Sequence, residues 1–206
     1  MLSDIAHVTQ KLKEGRISLQ ELLSMRREVC APFRSHPLGF YACTLLASGE
    51  QKIRLHFWLI DGGAAQSPDC QIHDHLFAFK SWVLSGAVEN IEYTTSLDGQ
   101  EFSVYRTEYS GYASTLTRTS AVRKLSVQNR RTYSAGSSYE VEAGTLHKTV
   151  RIGTAPAFTV LATSDVSVTS PIVLGPIAGP DRYTYQRELI DDTFVEAMLS
   201  RTLTFR

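Results

Sequence analysis

The sequence has little with which to brace itself covalently. Three cysteines, Cys30, Cys43 and Cys70, are scattered over 206 residues. An odd and sparse set reads as reduced thiols in a cytoplasmic chain, not as a disulfide frame. Neither sign of charge is in excess, since 21 basic side chains balance 21 acidic ones. That balance speaks against a dedicated nucleic-acid binder or a polybasic membrane binder. No apolar run approaches the roughly 18 residues of a membrane span. The opening stretch MLSDIAHVTQKLKEG lacks the apolar heart of a secretion signal. Glycine-rich phosphate loops and nucleophile elbows are also missing. We therefore expect a cytoplasmic protein with neither nucleic-acid nor membrane partners.

What is present has the composition of a globular protein, 43% hydrophobic and 20% charged. A chain of this length buries most of its apolar surface without staples. Residues 3–30 read as helical. Ser18-Leu19-Gln20-Glu21 has the spacing of a capping box, and Leu19, Leu22, Leu23 and Val29 follow at roughly helical intervals. From Phe40 the period becomes two: Ile53, Leu55, Phe57 and Leu59 alternate with Arg54, His56, Trp58 and Ile60. Further β-like runs cover Phe79 to Leu84, Val88 to Thr94, Phe102 to Tyr109, Ala113 to Arg118, Arg123 to Val127, Ser138 to Val141 and Phe158 to Ala162. Many short strands bounded by turn residues predict an all-β sandwich or barrel. The stretch from Ser170 to Asp181, rich in proline and glycine, should be irregular, and Tyr185 to Leu203 returns to a helical pattern. The basic stretch Arg118, Arg123, Lys124, Arg130 and Arg131 reads as a solvated hairpin.

The chemistry concentrates in Gln71-Ile72-His73-Asp74-His75. Two histidines two apart on a strand point to one face and reach one metal ion. A third ligand must come from elsewhere, and His147, after the glycine turn of Glu142-Ala143-Gly144-Thr145-Leu146, is the candidate. Imidazole suits iron, zinc, copper or nickel. Three neutral ligands leave the charge of a divalent ion uncompensated and positions open for water, substrate or dioxygen. Around this core, Arg54 and His56 share a parity with Trp58. Inward, Arg54 would bind a substrate carboxylate and His56 would act as a base; outward, they are a solvated face. Tyr139 is either a catalytic hydrogen-bond donor or a packed tyrosine. Phe79 and Trp82 are candidates for an apolar pocket wall, and Lys80 for an anion contact. The apolar neighbours of the histidines suit an uncharged or partly apolar small molecule.

These segments resemble a known superfamily. Ile72 to Gly86 (IHDHLFAFKSWVLSG) resembles the first cupin motif, and Gly136 to His147 (GSSYEVEAGTLH) resembles the second. The run Ile-His-Asp-His is similar to the cysteine dioxygenase branch of the thiol dioxygenases. Tyr41 to Leu46 (YACTLL) stands where that branch has a Tyr-x-Arg-x-Leu-type strand. The likeness spans roughly residues 40 to 165. It implies an all-β cupin jelly roll with terminal helices: a helical extension over 1–38, the barrel over 39–168, and a loop and helix over 169–206. It also implies ferrous iron (Fe2+) on His73, His75 and His147. The chain departs from the branch where substrate is held. Cys43 replaces the carboxylate-binding arginine, Phe79 or Lys80 stands where many members carry a cross-linked cysteine, and Thr159, Leu161 and Thr163 replace a Ser-x-His-x-Tyr run. The cage is kept and the amino-acid grip is not, which makes Thr159 and Leu161 candidate pocket residues for another substrate.

The resulting expectation is a mononuclear non-haem iron oxygenase, taking dioxygen and a small organic substrate as partners. Zinc, nickel or manganese are alternative metals. The rival readings are a metal-dependent isomerase, lyase or hydrolase, and a non-catalytic ligand-binding cupin. As an assembly, the chain would be a monomer or a homodimer.

Overall fold

The protein is described here by a computed structural model covering residues 4–59, 69–166 and 171–203. Two helices come first, α1 (Ile5–Lys13) and α2 (Leu19–Glu28). The capping box forms as the spacing predicts: the Glu21 amide donates to Ser18 Oγ at 3.1 Å, and the Ser18 amide donates to the Glu21 carboxylate at 2.8 Å. Such a cap contributes about 1 kcal/mol.

Twelve strands follow: β1 (Arg34–Ser35), β2 (Tyr41–Ser48), β3 (Gln51–Trp58), β4 (Ile72–His73), β5 (Phe77–Ser85), β6 (Ala87–Ser110), β7 (Ala113–Ser134), β8 (Ser138–Val141), β9 (His147–Ile152), β10 (Ala157–Val166), β11 (Ile172–Gly175) and β12 (Arg182–Gln186). Helix α3 (Asp192–Leu203) closes the order. The strands build two antiparallel six-stranded sheets, β1-β2-β3-β10-β5-β8 and β11-β4-β9-β6-β7-β12. Among the described residues, no helix is long and apolar enough to cross a membrane.

The first sheet is buried on both faces. Ile53, Leu55 and Phe57 of β3 join Phe158 and Val160 of β10 under Val8, Leu12, Leu22, Val195 and Leu199 of the three helices. Each such side chain contributes roughly 1.5–3 kcal/mol on burial. Arg26, itself buried, donates to the Ala31 carbonyl at 2.8 Å and pairs with Asp192, tying α2 to α3. The opposite face of the sheet, with Trp58, Phe79, Val83 and Leu161, packs against Val88 of the second sheet.

The second sheet departs from the sequence reading in four places, the first being that Ala113 to Arg118 and Arg123 to Val127 are one strand, β7, so the basic stretch runs along a single strand and not around a hairpin. The runs Val88 to Thr94 and Phe102 to Tyr109 are one strand, β6. Thr95 and Gln100 both register on Leu125, so Ser96-Leu97-Asp98-Gly99 is a bulge and not a turn between strands. Gly99 is needed there because a Cβ would lie 2.5 Å from the Leu125 backbone. The stretch expected to be irregular carries β11, and the helix expected from Tyr185 starts at Asp192, with β12 before it. The C-terminal segment is thus woven into the sheet: β11 pairs with β4 and with residues 103–106 of β6, while β9 pairs with β4 and with residues 87–92. Short β4, which carries the first histidine, is held from both sides.

Candidate metal centre

Sequence period and register bring three imidazoles together. His73 stands directly across the β4–β9 ladder from His147. His75 follows on the same side, and the ring centroids are 4.7 Å (His73–His75), 4.8 Å (His73–His147) and 5.2 Å (His75–His147) apart. One nitrogen from each ring lies within 4.8 Å of the others. The Nε2 atoms of His73 and His75 are 3.2 Å apart. Two donors about 2.1 Å from a common ion are separated by roughly that much.

The second ring nitrogen of His73 is accounted for. Its Nδ1 donates to the Gln71 carbonyl at 2.8 Å, which leaves the Nε2 lone pair facing the centre. His147 is 1% exposed, and neither of its ring nitrogens has a hydrogen-bond partner. A buried polar atom left so costs about 1–3 kcal/mol, which coordination of an ion would offset. Burial holds His73 below the usual imidazole value and His75 and His147 well below it, with the charge of His73 adding to the effect on the latter two. Burial thus favours the neutral, ligating form of all three.

Aromatic side chains pack against these rings. Phe77 stacks on His75 with centroids 5.0 Å apart, and Phe79 meets His75 at 5.4 Å and His147 at 5.6 Å. Asp74 turns the other way: its carboxylate accepts the Ile172 amide at 2.7 Å and its amide donates to the Ile172 carbonyl at 3.1 Å. The carboxylate is a clamp on β11 and not a ligand.

Arg54, His56 and Trp58 lie on the face of β3 opposite Ile53, Leu55 and Phe57, which pack under the helices. Arg54 lies over the Phe77 ring, its guanidinium carbon 5.4 Å from the centroid. His56 packs on Phe40 at 4.6 Å and Trp58 at 6.3 Å. Burial, and then the charge of Arg54, lower its pKa to about 3, so His56 is neutral and stores no proton near neutrality. Trp58 Nε1 donates to Thr159 Oγ1 at 3.2 Å, and Leu161 packs in the same inner cluster.

Other expected residues stand apart. Lys80 and Trp82 lie on the opposite face of β5, in a groove of 560 Å³ beneath α1, where Lys80 Nζ pairs with the Glu140 carboxylate at 2.7 Å. Period two sends them away from Phe77 and Phe79. Tyr139 is inside but engaged: Thr149 Oγ1 donates to Asn90 Oδ1 at 3.1 Å, so at 3.5 Å the Tyr139 hydroxyl is the donor to Thr149. Cys43 points to the helices, where its thiol donates to the Ala31 carbonyl at 3.6 Å and burial pushes its pKa to about 12. Position 43 therefore faces away from the histidines. Cys70 is buried beside Tyr105, Leu116 and Tyr185, outside the ligand group.

His36, beside the site, escapes the sequence reading. It stacks on Phe40 at 4.1 Å, and its Nδ1 accepts the Leu38 amide at 3.3 Å. A lone histidine before a proline carries no sequence signal for this role.

The sequence matches no protein-family model and no curated protein.

Proposed function

We propose that the chain is a mononuclear non-haem iron oxygenase with a cupin jelly roll, acting on a small organic molecule. The observation that carries this reading is the convergence of His73, His75 and His147, neutral and without a carboxylate among them. The donor set fits a divalent ion with vacant positions. Ferrous iron held there would supply the redox chemistry that activates dioxygen beside the substrate.

The chain's own residues supply orientation and exclusion. Gln71 fixes the tautomer of His73 through its carbonyl. Phe77 and Phe79 cover two sides of the histidine cluster and restrict water. His56 remains uncharged in an aromatic slot and is available to hydrogen-bond a substrate. Tyr139 positions Thr149 by donating a hydrogen bond to its hydroxyl.

Metal analysis of protein purified without chelator, followed by an oxygen electrode with thiols, amino acids and aromatic acids, tests the reading. Near-stoichiometric iron and substrate-dependent oxygen uptake are expected. Zinc occupancy that persists after iron loading, with no uptake across the panel, would refute the oxygenase assignment.

A further inference from the structure

One rung of the second sheet runs through the candidate centre and on to a carboxylate. His73 of β4 stands opposite His147 of β9, and His147 stands opposite Glu92 of β6. Directly opposed residues of an antiparallel pair place their side chains on the same face, with Cβ atoms about 4.5–5.5 Å apart. Glu92 is thus the neighbour of His147 on the side away from His73. The next rung shows which way this face looks. Asn90 and Thr149 are opposed there, and Thr149 Oγ1 donates to Asn90 Oδ1 at 3.1 Å. Tyr139, from the first sheet, reaches the same pair, so the face is the one between the two sheets.

The ligand rings are not equally supported. A metal-bound imidazole almost always donates its second N–H to a carboxylate, a carbonyl or water, which fixes the tautomer and raises the basicity of the ligating nitrogen. His73 meets this need through the Gln71 carbonyl, at 2.8 Å. His147 has no partner at either nitrogen, and at 1% exposure it is cut off from bulk water. Its ring neighbours are His73, His75 and Phe79, none of which offers an acceptor oxygen. Glu92, across the ladder, does. The glutamate is itself held: Asn90, which is buried, donates from Nδ2 to Glu92 Oε1 at 3.2 Å. Asn90 Oδ1 accepts from Thr149, which accepts from the Tyr139 hydroxyl at 3.5 Å. Every donor in this chain points toward the carboxylate, and Glu92 Oε2 is left to accept another.

We infer that Glu92 is the positioning residue of the third ligand: its carboxylate accepts the N–H of His147 that is not on the metal. The bond is not made in the structure, where both nitrogens of His147 lack a partner. At the separation of opposed residues, rotation of the Glu92 side chain spans the gap. A divalent ion on three neutral ligands also gains a negative charge one strand away, without giving up an open position to a fourth ligand. The role rests on the three-histidine centre of the proposed function and not on its redox chemistry. Tyr139 then acts at a distance, anchoring the far end of the chain that holds Glu92.

The test is zinc binding by the full chain, read by competition titration and by proton–nitrogen NMR correlation of the histidine rings. In the zinc-loaded wild type, His147 should occupy one tautomer, with an N–H proton shifted downfield and slow to exchange. Glu92→Leu should weaken zinc binding roughly 10- to 100-fold and abolish that shift. The His73 N–H, held by a backbone carbonyl, should stay unchanged. Glu92→Gln fills the same space and keeps an acceptor oxygen without the charge. It should fall between wild type and Glu92→Leu in affinity, and it carries the test if the leucine variant folds poorly. Weaker zinc binding with the His73 and His147 signals moving together would make Glu92 a support of the fold and overturn the role. Unchanged affinity and an unchanged His147 signal in both variants would overturn it while leaving the centre in place. Wild-type protein that takes up no zinc overturns the centre itself.

Discussion

The amide of Gly144 donates to the carbonyl of His75 at 3.0 Å. The residues are far apart in sequence, yet this bond joins the turn that launches β9 to the second histidine of the pair, just past β4. Gly144 has φ +76°, a left-handed conformation that directs its N–H toward His75. Thr145 donates back to the Glu142 carbonyl at 3.1 Å, closing the turn. His147 then enters the ladder opposite His73. The third ligand is therefore located by backbone geometry before any ion is involved.

Gly144→Ala is expected to strain this turn. A Cβ would meet no neighbouring atom, so the cost is conformational, about 1–2 kcal/mol. The thermal midpoint should fall by a few degrees, and zinc affinity should fall with it because His147 shifts relative to His75. Zinc affinity equal to wild type by competition titration would show that the turn does not place the ligand.

Asp74 offers a second handle on the same geometry. Its carboxylate holds the Ile172 amide at 2.7 Å without touching the centre. Asp74→Ala should weaken zinc binding roughly 10- to 100-fold, the range typical of residues that orient metal ligands. Asp74→Asn, which keeps an acceptor oxygen, should recover most of it. Equal loss in both variants would assign the effect to charge and not to the clamp.

The centre was legible in the sequence because its rules are local. Period two pairs His73 with His75, and a glycine turn marks the approach to His147. The helix start at Ser18 was legible for the same reason, through its capping box. Missed features are tertiary. The pairing of β12 with β7, Gln186 opposite Ala113, is one, and no local pattern announces that register. The turn-like residues at 96–99 read as a strand break, whereas the partner strand continues past them. Lys80 and Trp82 are different: the parity that unites His75, Phe77 and Phe79 already excludes them.

That parity makes a negative prediction. Lys80 sits behind the sheet, paired with Glu140 near the surface. Lys80→Met should leave zinc stoichiometry and zinc affinity unchanged, and shift stability by no more than about 0.5 kcal/mol. A tenfold change in zinc affinity would mean that β5 presents its other face to the histidines.

His147→Leu separates the ligand role from a packing role. In the metal-free protein both ring nitrogens of His147 are buried and unpartnered. Leucine removes that desolvation cost while filling most of the volume. The metal-free thermal midpoint should therefore stay level or rise, while zinc binding is lost and the stabilisation by added zinc disappears. A lower midpoint without metal would make His147 a structural core residue.

The half-buried histidines outside the cage make stability depend on acidity. His36 is held well below the usual imidazole value by burial, then by Arg187, and His56 is lowered to about 3 by burial and Arg54. Each stays neutral in the fold but takes a proton in the unfolded chain below its ordinary value of 6.5. The unfolded state then binds more protons, so stability is retained above that value and lost as the pH falls toward the folded one, by about 1.4 kcal/mol per pH unit for each such group. The metal-free midpoint should decline steadily from pH 6.5 to 4. His56→Phe, which keeps an aromatic ring between Phe40 and Trp58, removes one of these protons and should flatten the decline in denaturant titrations over that range. Parallel curves for the variant and wild type would mean that His56 is not held neutral by its surroundings.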